Sequence, residues 1–166
     1  MTAASLLPAD ITAAAETVVA RNREAGRMVA VAESCTGGLV SAAITEIAGS
    51  SAVLDRGFVT YSNEAKRELL GVSLEILDAF GAVSVATAWA MAQGALKHSG
   101  ADVAVAISGI AGPDGGSPQR PVGTVVFARA MRNSEEVVAE ERRFEGCDRA
   151  EVRRQATLVA LELLLP

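Results

Sequence analysis

Residues 27–49 read RMVAVAESCTGGLVSAAITEIAG, and they determine the expected fold. The start of this stretch is short and apolar, which predicts a buried strand that ends near Ala32. From Gly37 to Ala48 the apolar residues recur at helical spacing, and Gly49 is positioned to end that helix. The octapeptide VAESCTGG, residues 31–38, is therefore expected to form a turn from a strand into a helix.

Helices and strands alternate along the rest of the chain. Further helices are predicted from about Pro8 to Arg23, Asn63 to Leu70 with Ser62 as N-cap, Leu74 to Phe80, Val85 to Lys97, and from a capping box at Asp148 and Glu151 towards Leu164. Further strands are predicted at Gly57 to Tyr61, Ala101 to Gly109, Gly123 to Met131 and Val137 to Phe144, the last two as a hairpin. This order predicts one α/β domain over residues 1–166, with three α/β/α layers and a mixed sheet of about five strands.

The composition limits the classes of function. Half of the 166 residues are hydrophobic, and the formal net charge is −5. No nucleic acid and no membrane partner is expected, because both would need a basic surface. The first residues, MTAASLLPADITAAAE, have no basic segment followed by a long apolar one, which predicts a cytoplasmic protein. Cys35, Cys147 and the single histidine, His98, make a poor metal set, so we expect free thiols and no metal site.

Three segments that follow predicted strands combine hydroxyl groups with glycines or cations: ESCTGG, TYSNEAK and SGIAGPDGGSPQRPVGT. Ligands of open α/β sheets bind where loops leave the carboxyl ends of strands. In the first segment, Ser34 is either a nucleophile or, with Thr36, only a helix cap. If Ser34 is a nucleophile, the N–H groups that follow it would stabilise an oxyanion or hold a phosphate.

The second segment contains the single tyrosine, Tyr61, and a lysine five residues later, Lys66. With Ser62 as the cap, Lys66 lies in the first turn of a helix, where the helix dipole and burial lower the pKa of an amine. Such a lysine is able to act as a base for a serine. The alternatives are a solvated helix lysine and, for Tyr61, a half-buried strand residue.

The third segment is a glycine-rich and proline-rich loop predicted from Ser108 to Pro121. Its consecutive N–H groups are those of an anion-binding nest, and the alternative is a mobile surface loop. His98 is expected to be structural at a helix C-terminus, which argues against a Ser-His-Asp triad. Glu33 and Asp114 are candidates for paired-carboxylate chemistry, although no spacing selects them.

Taken together, the stretches AESCTGGLVSAAITEIAGSS, FVTYSNEAKRELLGV, GADVAVAISGIAGPDGGSPQRPVGTV and DRAEVRRQA resemble the C-terminal domain family of the competence/damage-inducible protein CinA. The resemblance covers nearly all of the chain after residue 28. Stand-alone members of that family are nicotinamide mononucleotide deamidases. The resemblance therefore implies hydrolysis of nicotinamide mononucleotide to nicotinic acid mononucleotide and ammonia without a cofactor, in a chain that lacks the larger N-terminal domain of full-length relatives.

The resemblance also implies roles for individual residues. The family's serine, tyrosine and lysine fall on Ser34, Tyr61 and Lys66, which implies that Ser34 attacks the carboxamide carbon and that Lys66, with help from Tyr61, takes and returns the proton. Its substrate-binding positions fall on Thr36, Gly37, Gly38, Ser50, Asn63, Ser108, Gly109, Ala111, Gly112, Pro113, Gly123 and Thr124. The chain departs from the family at Ser108, usually threonine, at Asp114, usually glycine, and at Cys147, an additional residue. For the phosphate, Arg149 is the preferred cation and Arg120 the alternative.

Two other functions remain open. One is a non-catalytic nucleotide-binding or regulatory domain linked to competence and DNA damage, and the other is a hydrolase for a different amide or a phosphate ester. The terminal segment ATLVALELLLP either packs into the core or lines a dimer interface, and a homodimer is expected.

Overall fold

A computed structural model describes residues 4–166, and this range contains six α-helices and five β-strands. The helices are α1 (Ala9–Glu24), α2 (Leu39–Thr45), α3 (Asn63–Leu70), α4 (Leu74–Phe80), α5 (Val85–Lys97) and α6 (Arg149–Leu163). The strands are β1 (Val29–Glu33), β2 (Leu54–Val59), β3 (Val103–Gly109), β4 (Thr124–Met131) and β5 (Val138–Arg143). A single 3-10 turn, Ser50–Ala52, precedes β2. This succession confirms the predicted order of helices and strands.

The five strands form one mixed sheet in the order β2-β1-β3-β4-β5. β1 is parallel to β2 and β3, while β4 is antiparallel to β3 and β5. The carboxyl ends of β1, β2 and β3 consequently meet the amino end of β4 at one edge of the sheet, which we call the carboxyl edge. All three segments singled out in the sequence begin there.

Apolar side chains on the two faces of the sheet form two separate clusters, which confirms the three-layer α/β/α prediction. Along β1, Val29 and Val31 pack with α1, α2 and α6. Ala30 and Ala32 point the other way and pack with α3, α4 and α5. All four side chains are fully buried. β1 therefore reads as a continuous apolar run because helices cover both of its faces.

Two element boundaries near the Ser34 turn differ from the prediction. Helix α2 begins only at Leu39 and ends at Thr45, because Gly37 and Gly38 have φ of 58° and 103° and belong to the turn. Gly49 does not cap α2 but precedes the 3-10 turn. Strand β2 ends at Val59, so the predicted strand residue Tyr61 lies beyond it.

The predicted start of the glycine-rich loop was also wrong. Ser108 and Gly109 still belong to β3, where they pair with Val126 and Val125, and the loop begins at Ile110. The predicted capping box of α6 is half formed. Asp148 accepts from the N–H of Glu151, but the Glu151 carboxylate binds Arg154 and Gln155.

Of the two alternatives for the terminal segment, packing into the core is the one observed. Val152, Ala156, Ala160, Leu161 and Leu164 are completely buried within the cluster that α6 shares with α1 and α2. The homodimer remains a prediction.

Candidate active site

Ser34 is the first residue after β1, and its side chain faces α3. Glu33 turns its carboxylate towards α2, so the next residue along the strand points to the opposite face. The Ser34 N–H donates to the carbonyl of Ile107 at 2.9 Å, which fixes the residue beside β3. Ser34 Oγ lies 3.1 Å from Lys66 Nζ, and the serine is 7% exposed.

Lys66 reaches Ser34 from the first turn of α3. The hydroxyl of Ser62 accepts from the N–H of Ala65 at 3.0 Å, which confirms the predicted N-cap. Lys66 is only 1% exposed, so its interpretation as a solvated helix lysine is wrong. Removal from water disfavours the charged amine and lowers the pKa of Lys66 below the ordinary lysine value, as the sequence predicts.

The three hydrogen-bond partners of Lys66 match the three donors of an ammonium, and they also fit an uncharged amine. Besides its contact with Ser34, Nζ donates to the main-chain carbonyls of Thr60 at 2.9 Å and of Tyr61 at 3.2 Å. A neutral amine has two N–H groups and one lone pair, and carbonyls only accept. When Lys66 is neutral, its two N–H groups bind the carbonyls and its lone pair accepts the Ser34 hydroxyl proton. This is the geometry of a base poised to activate a serine.

Tyr61 contributes its backbone rather than its ring to this contact. It lies outside β2 and is 65% exposed, so its interpretation as a half-buried strand residue is wrong. Among the contacts of residues 4–166, the hydrogen bond between Lys66 and Tyr61 is made by the Tyr61 carbonyl and not by its hydroxyl. A catalytic role for the phenol stays a prediction.

The carboxylate that caps α2 belongs to Glu33. It is completely buried and accepts from the N–H groups of Gly38, Val40 and Ser41 and from the hydroxyls of Thr36 and Ser41. The interpretation of Ser34 or Thr36 as the helix cap is therefore wrong. Sequence reasoning considered Glu33 only for carboxylate chemistry and missed this role.

Two N–H groups of the same turn bind no other residue. In the described part of the chain, the amides of Cys35 and Thr36 donate to no oxygen. Both follow Ser34 directly, the position at which an oxyanion would be held. Cys35 itself is a free thiol, as is Cys147. Burial raises the pKa of the Cys35 thiol to about 11, so it stays protonated at neutral pH and does not compete with Ser34.

Arg153 of α6 is a further residue of this turn that sequence reasoning missed. Its Nε donates to the carbonyl of Cys35 at 3.1 Å, and its Nη2 approaches the carbonyl of Thr36 at 3.4 Å. A signal was available, because Arg153 lies four residues after Arg149 and so shares its helix face.

The loop after β3 is closed at its base and open in its middle. Ile110 and Gly123 join the two ends, with Ile110 donating to Thr124 at 2.9 Å and Gly123 to Ile110 at 2.8 Å. Residues 113–119 between them are exposed. Two of the predicted binding hydroxyls are already bound to carbonyls, Ser108 to Ala82 and Thr124 to Pro121.

The two candidate phosphate cations differ in their contacts. Arg149 Nη1 donates to the carbonyl of Gly112 at 2.7 Å, which ties α6 to the loop. The Arg120 guanidinium lies beside Gly81 and makes no hydrogen bond within residues 4–166. Arg120, the alternative in the sequence prediction, therefore has all its donors available.

Ser50 is a predicted binding residue that the structure does not bring to the carboxyl edge. It opens the 3-10 turn, and Val53 of that segment accepts from the N–H of Val29 at the amino end of β1. Val29 and Glu33 are four residues apart along β1, which corresponds to about 13 Å at ~3.3 Å per residue. Asn63, by contrast, starts α3 one turn before Lys66 and is exposed.

Neither a metal centre nor a membrane span is found in the described residues. Between residues 4 and 166, no three His, Cys, Asp or Glu side chains are grouped so that they would bind an ion. The helices in this range are too short or too polar to cross a bilayer.

The fold and its carboxyl edge define a known class of proteins. A family model described as the CinA C-terminal domain matches residues 11–166, so the chain belongs to the CinA C-terminal domain family. This confirms the resemblance seen in the sequence.

Within that class, the most informative relatives are enzymes. The chain is 58% identical over 139 residues to the nicotinamide-nucleotide amidohydrolase PncC of Escherichia coli (strain K12), an alignment that covers 84% of this chain and 83% of the relative. It is 56% identical over 140 residues to the protein of the same name from Enterobacter agglomerans, covering 84% of each. The crystal structure of competence/damage inducible protein CihA from Agrobacterium tumefaciens matches with a TM-score of 0.93 and 53% identity, over 97% of both chains.

Proposed function

We propose that the chain is an amidohydrolase that converts nicotinamide mononucleotide to nicotinic acid mononucleotide and ammonia. The observation that carries the proposal is the 3.1 Å contact between Ser34 Oγ and the buried amine of Lys66. The substrate follows from relatives more than 55% identical that bear the name nicotinamide-nucleotide amidohydrolase. A domain that only binds a nucleotide would have no need for a desolvated lysine against a serine.

In the proposed mechanism, neutral Lys66 takes the proton of Ser34 as Oγ attacks the carboxamide carbon. The oxyanion of the tetrahedral intermediate faces the free amides of Cys35 and Thr36. The Lys66 ammonium then returns the proton to the carboxamide nitrogen, the C–N bond breaks and ammonia leaves. Water next attacks the Ser34 ester with Lys66 as base, which releases the carboxylate product and restores the hydroxyl.

Recognition of the mononucleotide is assigned to the surroundings of this pair. The phosphate requires cations, because the chain as a whole is acidic. Arg120 has its donors available and Arg149 is held at the base of the same loop. Tyr61, whose carbonyl contacts Lys66 and whose ring is exposed, is proposed to help Lys66 transfer the proton.

The decisive experiment measures ammonia release from nicotinamide mononucleotide by Ser34→Ala. We expect a loss of kcat of ~10³-fold or more, since no covalent intermediate forms without Oγ. Ser73→Ala is the matched control, because Ser73 loses only a hydroxyl that caps α4. Full activity of Ser34→Ala would remove the serine from the mechanism, and no ammonia release by the wild-type protein would favour a binding-only domain.

A further inference from the structure

We propose that Glu33 is a positioning residue. Its carboxylate binds some of the main-chain N–H groups of the Ser34 turn and leaves two others for the substrate. The inference rests on the proposed function, because it takes Ser34 as the nucleophile. It assigns a role in catalysis to a side chain on the face of the sheet opposite to Ser34.

The carboxylate of Glu33 uses both of its oxygens. Oε2 accepts from the Thr36 hydroxyl at 2.6 Å and from the N–H groups of Gly38 and Val40 at 3.1 Å each. Oε1 accepts from the N–H and the hydroxyl of Ser41 at 2.9 Å each. A completely buried carboxylate is therefore stabilised by hydrogen bonds from one turn and the helix that follows it.

Most main-chain N–H groups from residue 34 to residue 41 have an acceptor in another residue. Three donate to Glu33, and three donate to main-chain carbonyls: Ser34 to Ile107, Gly37 to Ser34 and Leu39 to Thr36. The amides of Cys35 and Thr36 are the two of this set that bind no other residue. The positive end of α2 is thus neutralised internally, and only two donors beside Ser34 are offered to a developing negative charge.

The direction of the Thr36 donor is fixed by Arg153, which reaches the turn from α6. In a trans peptide the C=O of one residue and the N–H of the next point in opposite directions. Because Arg153 binds the carbonyl of Cys35, the N–H of Thr36 is turned away from α6. Glu33 holds the far end of the same turn through Thr36 and Gly38, so the peptides after Ser34 are held at both ends.

The first test is Glu33→Gln, which keeps the shape of the side chain. Whichever oxygen becomes NH₂, at least one main-chain N–H, that of Ser41 or those of Gly38 and Val40, then faces another donor. We expect kcat to fall ~10- to 100-fold while KM changes less than ~3-fold, since the displaced amides act on the transition state. A purely structural role would lower the melting temperature and leave the kcat of the folded protein unchanged, which would overturn the proposal.

A matched pair of milder variants, each of which removes a single hydrogen bond, tests the same point. Thr36→Val and Ser41→Ala each remove one hydroxyl from the Glu33 carboxylate, the first within the turn and the second within α2. We expect Thr36→Val to lower kcat ~5-fold or more at unchanged KM, and Ser41→Ala to stay within ~2-fold of wild type. Equal effects of the two variants, or a raised KM with unchanged kcat in Thr36→Val, would contradict the proposal, the latter because the hydroxyl would then bind substrate.

Failure of this inference is distinguishable from failure of the proposed function. If Ser34→Ala is inactive but Glu33→Gln and Thr36→Val keep the wild-type kcat, only the positioning role is lost. If Ser34→Ala is fully active, the proposed mechanism fails whatever Glu33 does. If Glu33→Gln does not fold, the ratio of kcat between Thr36→Val and Ser41→Ala decides.

Discussion

The Ser34 turn and the loop from Ile110 to Gly123 lie at the same edge of the sheet but are held in opposite ways. In the turn, two side chains bind the main chain: Glu33, which is completely buried, and Arg153, which is partly buried. The loop is bound at its base and by one contact of Arg149 to Gly112, while residues 113–119 are exposed. The difference separates two tasks: the turn fixes the atoms that would react, and the loop offers groups that would recognise a ligand.

This division predicts that a change at Lys66 costs far more than any change in the loop. Lys66→Met keeps an unbranched buried side chain but removes the amine, so no base remains beside Ser34. We expect kcat to fall by ~10³-fold or more. Lys97→Met, in the last turn of α5, is the control for loss of a lysine elsewhere and should keep its kcat. A loss below ~10-fold in Lys66→Met would show that another group acts as the base.

The pH dependence of the free energy of unfolding is a second test of Lys66, because it reports whether the amine is charged in the folded protein. Burial lowers the pKa of Lys66 in the folded chain. Between that lowered pKa and the ordinary value of ~10.4, the lysine is protonated in the unfolded chain and neutral in the folded chain. The free energy of unfolding therefore increases as the pH rises through this range, and Lys66→Met, which has no amine, lacks this increase. The free energy of unfolding of wild type minus that of Lys66→Met should therefore increase with pH from the lowered pKa of Lys66 up to about pH 10. A constant difference would mean that the amine stays charged in the fold.

The same contrast explains how far sequence reasoning reached. The order of elements and the cap at Ser62 were predicted correctly, because they depend on apolar period and on local hydrogen bonds. The Ser34–Lys66 contact agrees with the roles that the family resemblance implies for both residues, and it forms because each follows one of two parallel strands that are neighbours in the sheet. The cap by Glu33 and the contact of Arg153 across 118 residues were missed, since both depend on which way a side chain leaves its element.

Smaller effects are expected in the loop region, where charge rather than covalent chemistry is involved. If Arg120 or Arg149 contacts the phosphate, its change to Ala should cost ~1.5–3 kcal/mol, or roughly ten- to a hundredfold in kcat/KM for nicotinamide mononucleotide. The same variants should turn over the phosphate-free riboside nearly as well as wild type does. The structure favours the larger effect at Arg120, whose guanidinium has no hydrogen bond in residues 4–166, because Arg149 is already bound to Gly112.

Two outcomes would change this view of the loop. Equal kcat/KM of the wild-type protein for nucleotide and riboside would refute phosphate anchoring and point to a general amidase. A loss on both substrates in Arg149→Ala alone would instead assign Arg149 to holding the loop through Gly112.

The smallest effect is expected at Thr60, whose main chain is hydrogen-bonded near Ser34 while its side-chain hydroxyl is not. Its carbonyl accepts from Lys66, and its N–H donates to the main-chain carbonyl of Glu33 at 2.8 Å, which continues the β1–β2 ladder. Its hydroxyl is completely buried and has no partner in the described chain, which costs stability. Thr60→Val removes that hydroxyl at nearly constant volume, so we expect stability to rise by about 1 kcal/mol and kcat to stay within ~2-fold. Thermal unfolding and ammonia release measure both; a stabilised variant with kcat lowered tenfold would mean that the hydroxyl finds its partner during turnover, next to Ser34.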